Sequence, residues 1–200
     1  MQLRATEGAQ DDLALLRAGE ADVGSCAVAW PTPRPIPRRA SFRWAAYEPI
    51  WIFYRRDLAI ARRQPGGELQ RLAQLRGLRV NVDQDGSGVP QIMEKLLALN
   101  QLKPTDLQLS NLAPDAAGTA LRQGQLDAAM LISAPQAGLI RTLLRDPAIA
   151  LMAIGQGEAY SRHLPFLSTV RLPRGVVDLA ADVPPPDVPP LATTTALLTG

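Results

Sequence analysis

The chain has 200 residues, 46% of them hydrophobic, and 21 Lys and Arg against 19 Asp and Glu give a formal charge of +2. That is the composition of a folded domain long enough to bury a core. With only two lysines, Lys95 and Lys103, and three each of Trp, Tyr and Phe scattered along the chain, a basic aromatic-laced nucleic-acid surface is excluded, and no apolar run is long enough to span a bilayer.

Taken in order, residues 3–6 read as the end of a strand with no lead-in, and Met1-Gln-Leu-Arg-Ala-Thr6 is not a signal peptide. The chain is expected to start inside a domain. Residues 10–18 form a helix stopped by Gly19, and residues 22–29 a buried strand of small residues. That strand holds Cys26, the single cysteine, which excludes an internal disulfide and reads as a small buried side chain. Pro31, Pro33, Pro35 and Pro37 mark an extended surface loop. Residues 42–54 return to strand, dense in aromatic and β-branched residues around Tyr47-Glu-Pro-Ile-Trp-Ile-Phe-Tyr54. Residues 55–67 are a polar excursion, and residues 68–75 a short helix.

The next stretch organises the rest. Leu78, Val80 and Val82 alternate as in a strand. Asp83 to Gly88 is a tight turn, with Gly86 and Gly88 free to take positive φ. Val89, Ile92, Met93, Leu96 and Leu97 recur at helical spacing, with Pro90 in the first turn and Ser87 or Gly88 as N-cap. A helix N-terminus behind a Gly-Ser-Gly turn offers backbone N–H groups and a hydroxyl to a small anion; an ordinary close-packed βα turn fits the same residues. The turn lacks Gly-Lys-Ser/Thr, Gln91 stands where a dinucleotide fingerprint has its third Gly, and it is no nucleophile elbow.

Beyond it the alternation continues: strands at 107–109, 127–133, 149–154 and 167–172, helices at 115–123, 136–144 and 158–163, a Pro-rich linker at 182–190 and a last strand at 191–198. This pattern predicts an α/β protein with a largely parallel sheet. Leu16-Arg-Ala-Gly-Glu-Ala-Asp-Val-Gly24 matches Leu121-Arg-Gln-Gly-Gln-Leu-Asp-Ala-Ala129. Each copy is helix end, Gly, Asp, small-residue strand. The repeat predicts two similar lobes, with Asp22 and Asp127 in equivalent places at the start of two central strands in separate sheets.

Several strings resemble the TAXI family, the solute-binding subunits of tripartite ATP-independent periplasmic (TRAP) transporters: Ala5-Thr-Glu-Gly-Ala, the Leu-Arg-x-Gly-x-x-Asp pair, Tyr47-Glu-Pro-Ile-Trp-Ile-Phe-Tyr, Leu75-Arg-Gly-Leu-Arg-Val, Asp85-Gly-Ser-Gly and Arg174-Gly-Val-Val-Asp, in the family's order. The resemblance implies a two-lobed type II periplasmic-binding-protein fold with an incomplete first lobe: lobe I at 1–76, lobe II at 77–181, and a crossing with a return strand at 182–200. It further implies a periplasmic or extracytoplasmic protein that captures a small carboxylated solute, glutamate-like or a dicarboxylate, and delivers it to a membrane permease without spanning the membrane itself.

The candidate ligand-binding residues are Tyr47 and Glu48, the turn Asp85, Gly86, Ser87 and Gly88, and the second strand-to-helix turn Ser133, Ala134, Pro135 and Gln136. Asp85 is expected to turn away from an anion and cap the loop backbone. The one histidine, His163, reads as a solvated helix-end residue, and one His with one Cys builds neither a His-rich metal site nor a Cys-His catalytic pair. No cofactor, metal or catalytic residue is expected. The alternatives are an enzyme on the same fold, which would need a clustered acid or base, and a ligand-sensing domain of a regulator, which would need a helix-turn-helix segment.

Overall fold

The structure is a computed structural model that describes residues 4, 6, 9–27, 41–61, 67–184 and 188–199. Most of the expected strand at 3–6, the Pro-rich loop at 31–39 and the Cys26 side chain lie outside the described residues.

The strands are β1 Val23–Ala27, β2 Ser41–Arg55, β3 Arg79–Asn81, β4 Gln108–Ser110, β5 Ala128–Ile132, β6 Ile149–Leu151, β7 Leu167–Thr169 and β8 Leu191–Thr199. The helices are α1 Ala9–Ala18, α2 Arg56–Ala61, α3 Val89–Leu99, α4 Pro114–Arg122, α5 Gly138–Arg145 and α6 Gly157–His163. One hydrogen-bonded path runs β1-β8-β2-β5-β3-β4, with β6 added on β2 and β7 on β8.

The sheet is mixed, which corrects the expectation of a largely parallel one. Only β3 runs parallel to its neighbours β4 and β5. β2 is antiparallel to β5, β6 and β8, and β8 is antiparallel to β1 and β7. The cause is the length of β2. Its 15 residues serve two groups of strands: Ser41 to Pro49 pair with β8, and Ile50 to Tyr54 pair with β5. Pro49 sits at the exchange. A proline has no N–H for a ladder and is normally kept out of strand interiors. Here it stands where one ladder ends and the other begins, so no ladder bond is lost.

The internal repeat holds locally, and its two strands differ in how central they are. Gly19 and Gly124 both take positive φ, 71° and 74°, and stop their helices. But β5 is central, between β2 and β3, whereas β1 ends the path and, among the described residues, pairs with β8 alone. β1 belongs to the group of strands built on β8 and the first half of β2, β5 to the group built on its second half, and the length of β2 links the two groups into one path.

Strand alternation divides the core in two. Ile50, Ile52 and Tyr54 point to the face covered by α3, with Val80, Val82, Val89, Met93 and Leu96. Trp51 and Phe53 point to the face covered by α4 and α5, with Leu121, Leu131, Ile140 and Leu143. The rings of Trp51 and Phe53 stack with centroids 6.0 Å apart. Two elements differ from the sequence reading. The polar excursion contains α2, held by the fully buried Ala59, and the helix expected over 68–75 is only a 3₁₀ turn, Leu72–Leu75.

Candidate functional site

Parallel strands put their C-terminal ends, and the N-termini of the helices that follow, on one edge. β3, β4 and β5 end at Asn81, Ser110 and Ile132, and α3, α4 and α5 begin at Val89, Pro114 and Gly138. In open α/β sheets this edge is where ligands bind. β2 runs the other way, so Ile50, opposite Ile132, is at the same edge and Tyr47 to Pro49 lie just beyond it. All ten candidate residues therefore fall at one end of the sheet.

They do not all face one way. Successive residues on a strand point to opposite faces. Glu48, half-buried, shares the face of Ile50 and the α3 side; Tyr47, 59% exposed, shares the face of Trp51 and the α4–α5 side.

The first turn is internally bonded. Ser87 donates its hydroxyl proton to the Gln84 carbonyl at 2.7 Å, and its Oγ accepts from the Val89 N–H at 3.2 Å. That supplies the missing cap at the start of α3, whose N-cap residue is Gly88 at φ 84°. The hydroxyl's one proton is thus used within the turn. Asp85 turns outward as expected, but to a different partner: its Oδ1 accepts from Asn111 Nδ2 at 2.9 Å, not from the loop backbone. Asn111 Nδ2 also donates to the Asp83 carbonyl at 3.0 Å. α1 lies against the same turn.

Asp83 and Asn81 are site-edge residues the sequence reading missed. Asn81 is fully buried, donates to the Leu112 carbonyl at 3.0 Å and accepts from the Leu112 N–H at 2.7 Å and the Ser110 hydroxyl at 3.1 Å, so it fixes the loop before α4. A polar residue between Val80 and Val82 in a buried strand was its signal. Asp83 is 8% exposed at φ 64°, and burial raises its carboxyl above the usual range, against the lowering effect of the Gln84 N–H that it accepts.

The second turn is tied to β2. The Ser133 carbonyl accepts from Trp51 Nε1 at 2.9 Å, and the Ser133 N–H donates to the Pro49 carbonyl at 3.4 Å. The Ala137 N–H closes the turn on the Ala134 carbonyl at 3.0 Å. A cavity of about 270 Å³ opens beside it between α4 and α5, lined by Pro114, Asp115, Ser133 and Gly138 among others. A second, of about 350 Å³, lies between α3 and β4 and is lined by Asp85, Gln91, Glu94, Leu109 and Asn111. Neither is lined by Lys or Arg. The opposite edge carries the arginines: Arg79 bonds Asp127 through Nη2–Oδ1 at 2.7 Å, and Arg55 and Arg122 line a cavity of about 320 Å³. His163 is exposed, as expected. Among the described residues no group of three His, Cys, Asp or Glu is placed to hold a metal, and no helix is long and apolar enough to cross a membrane.

The family model described as the NMT1-like family matches residues 1–184. Among solved structures, the periplasmic aliphatic sulphonate binding protein SsuA from Escherichia coli is 21% identical, with a TM-score of 0.52 over 74% of this chain and 47% of that one. A periplasmic binding protein from Brucella ovis with glutathione bound is 15% identical, with a TM-score of 0.53 over 96% of this chain and 47% of that one. The Synechocystis PCC6803 CcmR regulatory domain in complex with 2-PG is 12% identical, with a TM-score of 0.54 over 96% of this chain and 70% of that one. The chain spans about half the length of the sulphonate-binding structures it matches. Its mixed α/β fold is that of the two-lobed periplasmic binding proteins. Membership of the TAXI family is not part of the family match.

Proposed function

The chain belongs to the NMT1-like family, and from that premise we propose that it is an extracytoplasmic solute-binding protein. It captures a small acidic solute and hands it to a membrane permease. The observation that carries this reading is the convergence of three helix N-termini and the β2 exchange point on one edge. In this reading β1, β7, β8 and the first half of β2 belong to one lobe and the β3–β6 group to the other. The candidate contacts divide by face, Glu48 and the turn Asp85–Gly88 toward the α3 side and Tyr47 and the turn Ser133–Gln136 toward the α4–α5 side, and the solute sits at the edge where the two faces meet.

Within that edge the start of α5 is the best seat for the solute's carboxylate or sulfonate. Like α3, and unlike α4 with Asp115, α5 has no acidic residue in its first turn, and it opens on the 270 Å³ cavity, whose far side Asp115 lines. The TAXI resemblance supports a TRAP permease as partner; the sulphonate-binding and amino-acid ABC transporter proteins among the structural neighbours support an ABC permease. Similarity to the CcmR regulatory domain supports a second reading, a ligand-sensing domain. Uptake by permease-containing vesicles separates the two, since only a transport subunit makes uptake depend on added protein.

A thermal-shift screen against small carboxylates and sulfonates tests the binding claim. Gly138→Asp is the decisive variant. A side chain at Gly138 meets nothing within 4 Å, and an acid suits a helix start, so the free protein keeps its Tm. The solute's shift should be lost. A shift that survives Gly138→Asp removes α5 from the site.

A further inference from the structure

We propose that Thr193, on β8, forms part of the wall of the solute site, its hydroxyl kept for a hydrogen bond from the solute; the inference rests on the binding reading above. Thr193 is 2% exposed, and its Oγ1 has no hydrogen-bond partner among the described residues. A buried hydroxyl without a partner costs stability, and natural interiors rarely keep one. Valine has the same branched shape, suits a strand equally well and leaves nothing unpaired. A position with only a packing role is better served by valine.

The surroundings connect this hydroxyl to the site. In register Thr193 stands opposite Glu48 on β2 and opposite Leu167 on β7. Directly opposed residues share a face, so Thr193 and Glu48 point the same way. By alternation that is the face of Ile50 and Ile52, which share a core cluster with Leu167 on β7 and with Leu191, two residues before Thr193 on β8. The neighbouring pair, Pro49 and Ala192, is where β2 exchanges β8 for β5. The unpaired hydroxyl is therefore one residue from the junction of the two strand groups and beside a candidate site residue. A hydroxyl both donates and accepts, but next to the Glu48 carboxylate a solute group that donates, an ammonium or a hydroxyl, is the one it takes. Gln91 Oε1, also buried and unpaired among the described residues, belongs to a residue lining the cavity between α3 and β4 and is a separate feature.

The test uses the full chain and two independent readouts. In a Cys26→Ser background, Thr193→Cys is exposed to a methanethiosulfonate reagent under native conditions. A wall residue is labelled at least tenfold faster than the protein unfolds; labelling only at the unfolding rate means a sealed core and overturns the proposal. Thr193→Val is then titrated calorimetrically with L-glutamate, which carries both an acid group and an ammonium donor. The expected result is a Tm equal to or above the wild type's with affinity reduced tenfold or more. Unchanged affinity overturns the proposal. Fast labelling of the Thr193→Cys variant together with no shift from any small acid overturns the acidic-solute reading instead and leaves the wall assignment standing.

Discussion

Replacing Trp51 by Phe tests how the second turn is held. Trp51 is fully buried and donates Nε1–H to the Ser133 carbonyl at 2.9 Å. The change removes that bond, worth about 1 kcal/mol net, and Ser133 is half-buried, so water can reach the freed carbonyl and keep the loss near that value. It also removes two to three buried carbon-sized groups, at about 0.8 kcal/mol each. The total is about 3 kcal/mol, which for a chain of this size lowers Tm by about 6–12 °C. The assay is calorimetric unfolding with amide exchange. Phe53→Leu is the control: it disturbs the same stacked pair, 6.0 Å between centroids, but leaves the indole bond to the turn. Amides at 134–138 should exchange faster in Trp51→Phe than in Phe53→Leu at matched stability. A Tm within a degree of wild type, or equal exchange in the two variants, would refute the claim that Trp51 positions the turn.

Ser87→Ala should cost about 1 kcal/mol by uncapping the start of α3, while Ser87→Thr keeps the hydroxyl and the stability; denaturant midpoints decide it. Tyr54→Phe leaves the buried Leu69 N–H, now 3.1 Å from the Tyr54 hydroxyl, without an acceptor, and should lower stability by about 1–3 kcal/mol in the same titration. Two carboxylates give opposite pH dependences. Burial alone would raise Asp127, but hydrogen bonds and charge from Arg79 and the Arg79 N–H outweigh it and hold the carboxyl below its usual range. Its contribution is present above the unfolded pKa of about 3.9 and is lost as pH falls through the lowered folded value. Asp83 is raised by burial, so its contribution is present below about pH 3.9 and is lost as pH rises through the folded value. Stability measured against pH should therefore rise at neutral pH in Asp83→Asn, since Asn tolerates φ 64° and carries no charge, and lose part of its acid-side slope in Asp127→Asn.

The local features were legible in the sequence because their causes are local. α3 spans Val89–Leu99 as its apolar period and the preceding glycines dictate, with Gly88 at φ 84°. The strand–turn–helix units that bring residues 85–88 and 133–136 to one edge were legible for the same reason. What was not legible depends on distant partners. Nothing near residues 41–55 says that half the strand pairs with β8 and half with β5, because the choice is made by residues 128–132 and 192–199. The Asp85–Asn111 and Asn81–Leu112 bonds join residues brought together only when β3 pairs with β4. Thr193 gives no signal in the sequence, since an unpaired hydroxyl is known only after every neighbour is placed. The opposite facing of Tyr47 and Glu48 was within reach, because strand alternation alone requires it.

The central claim, capture of a small acidic solute at the C-terminal edge of β3, β4 and β5, is tested most directly by amide exchange with and without the acid that gives the largest thermal shift. At about 100 times Kd that solute stabilises the fold by about 2.7 kcal/mol, enough to slow exchange clearly. The account predicts added protection at residues 47–49, 83–90 and 133–138, beyond the general slowing of the core. Protection confined to the opposite edge, around Arg55, Arg122 and Gly124, would contradict it.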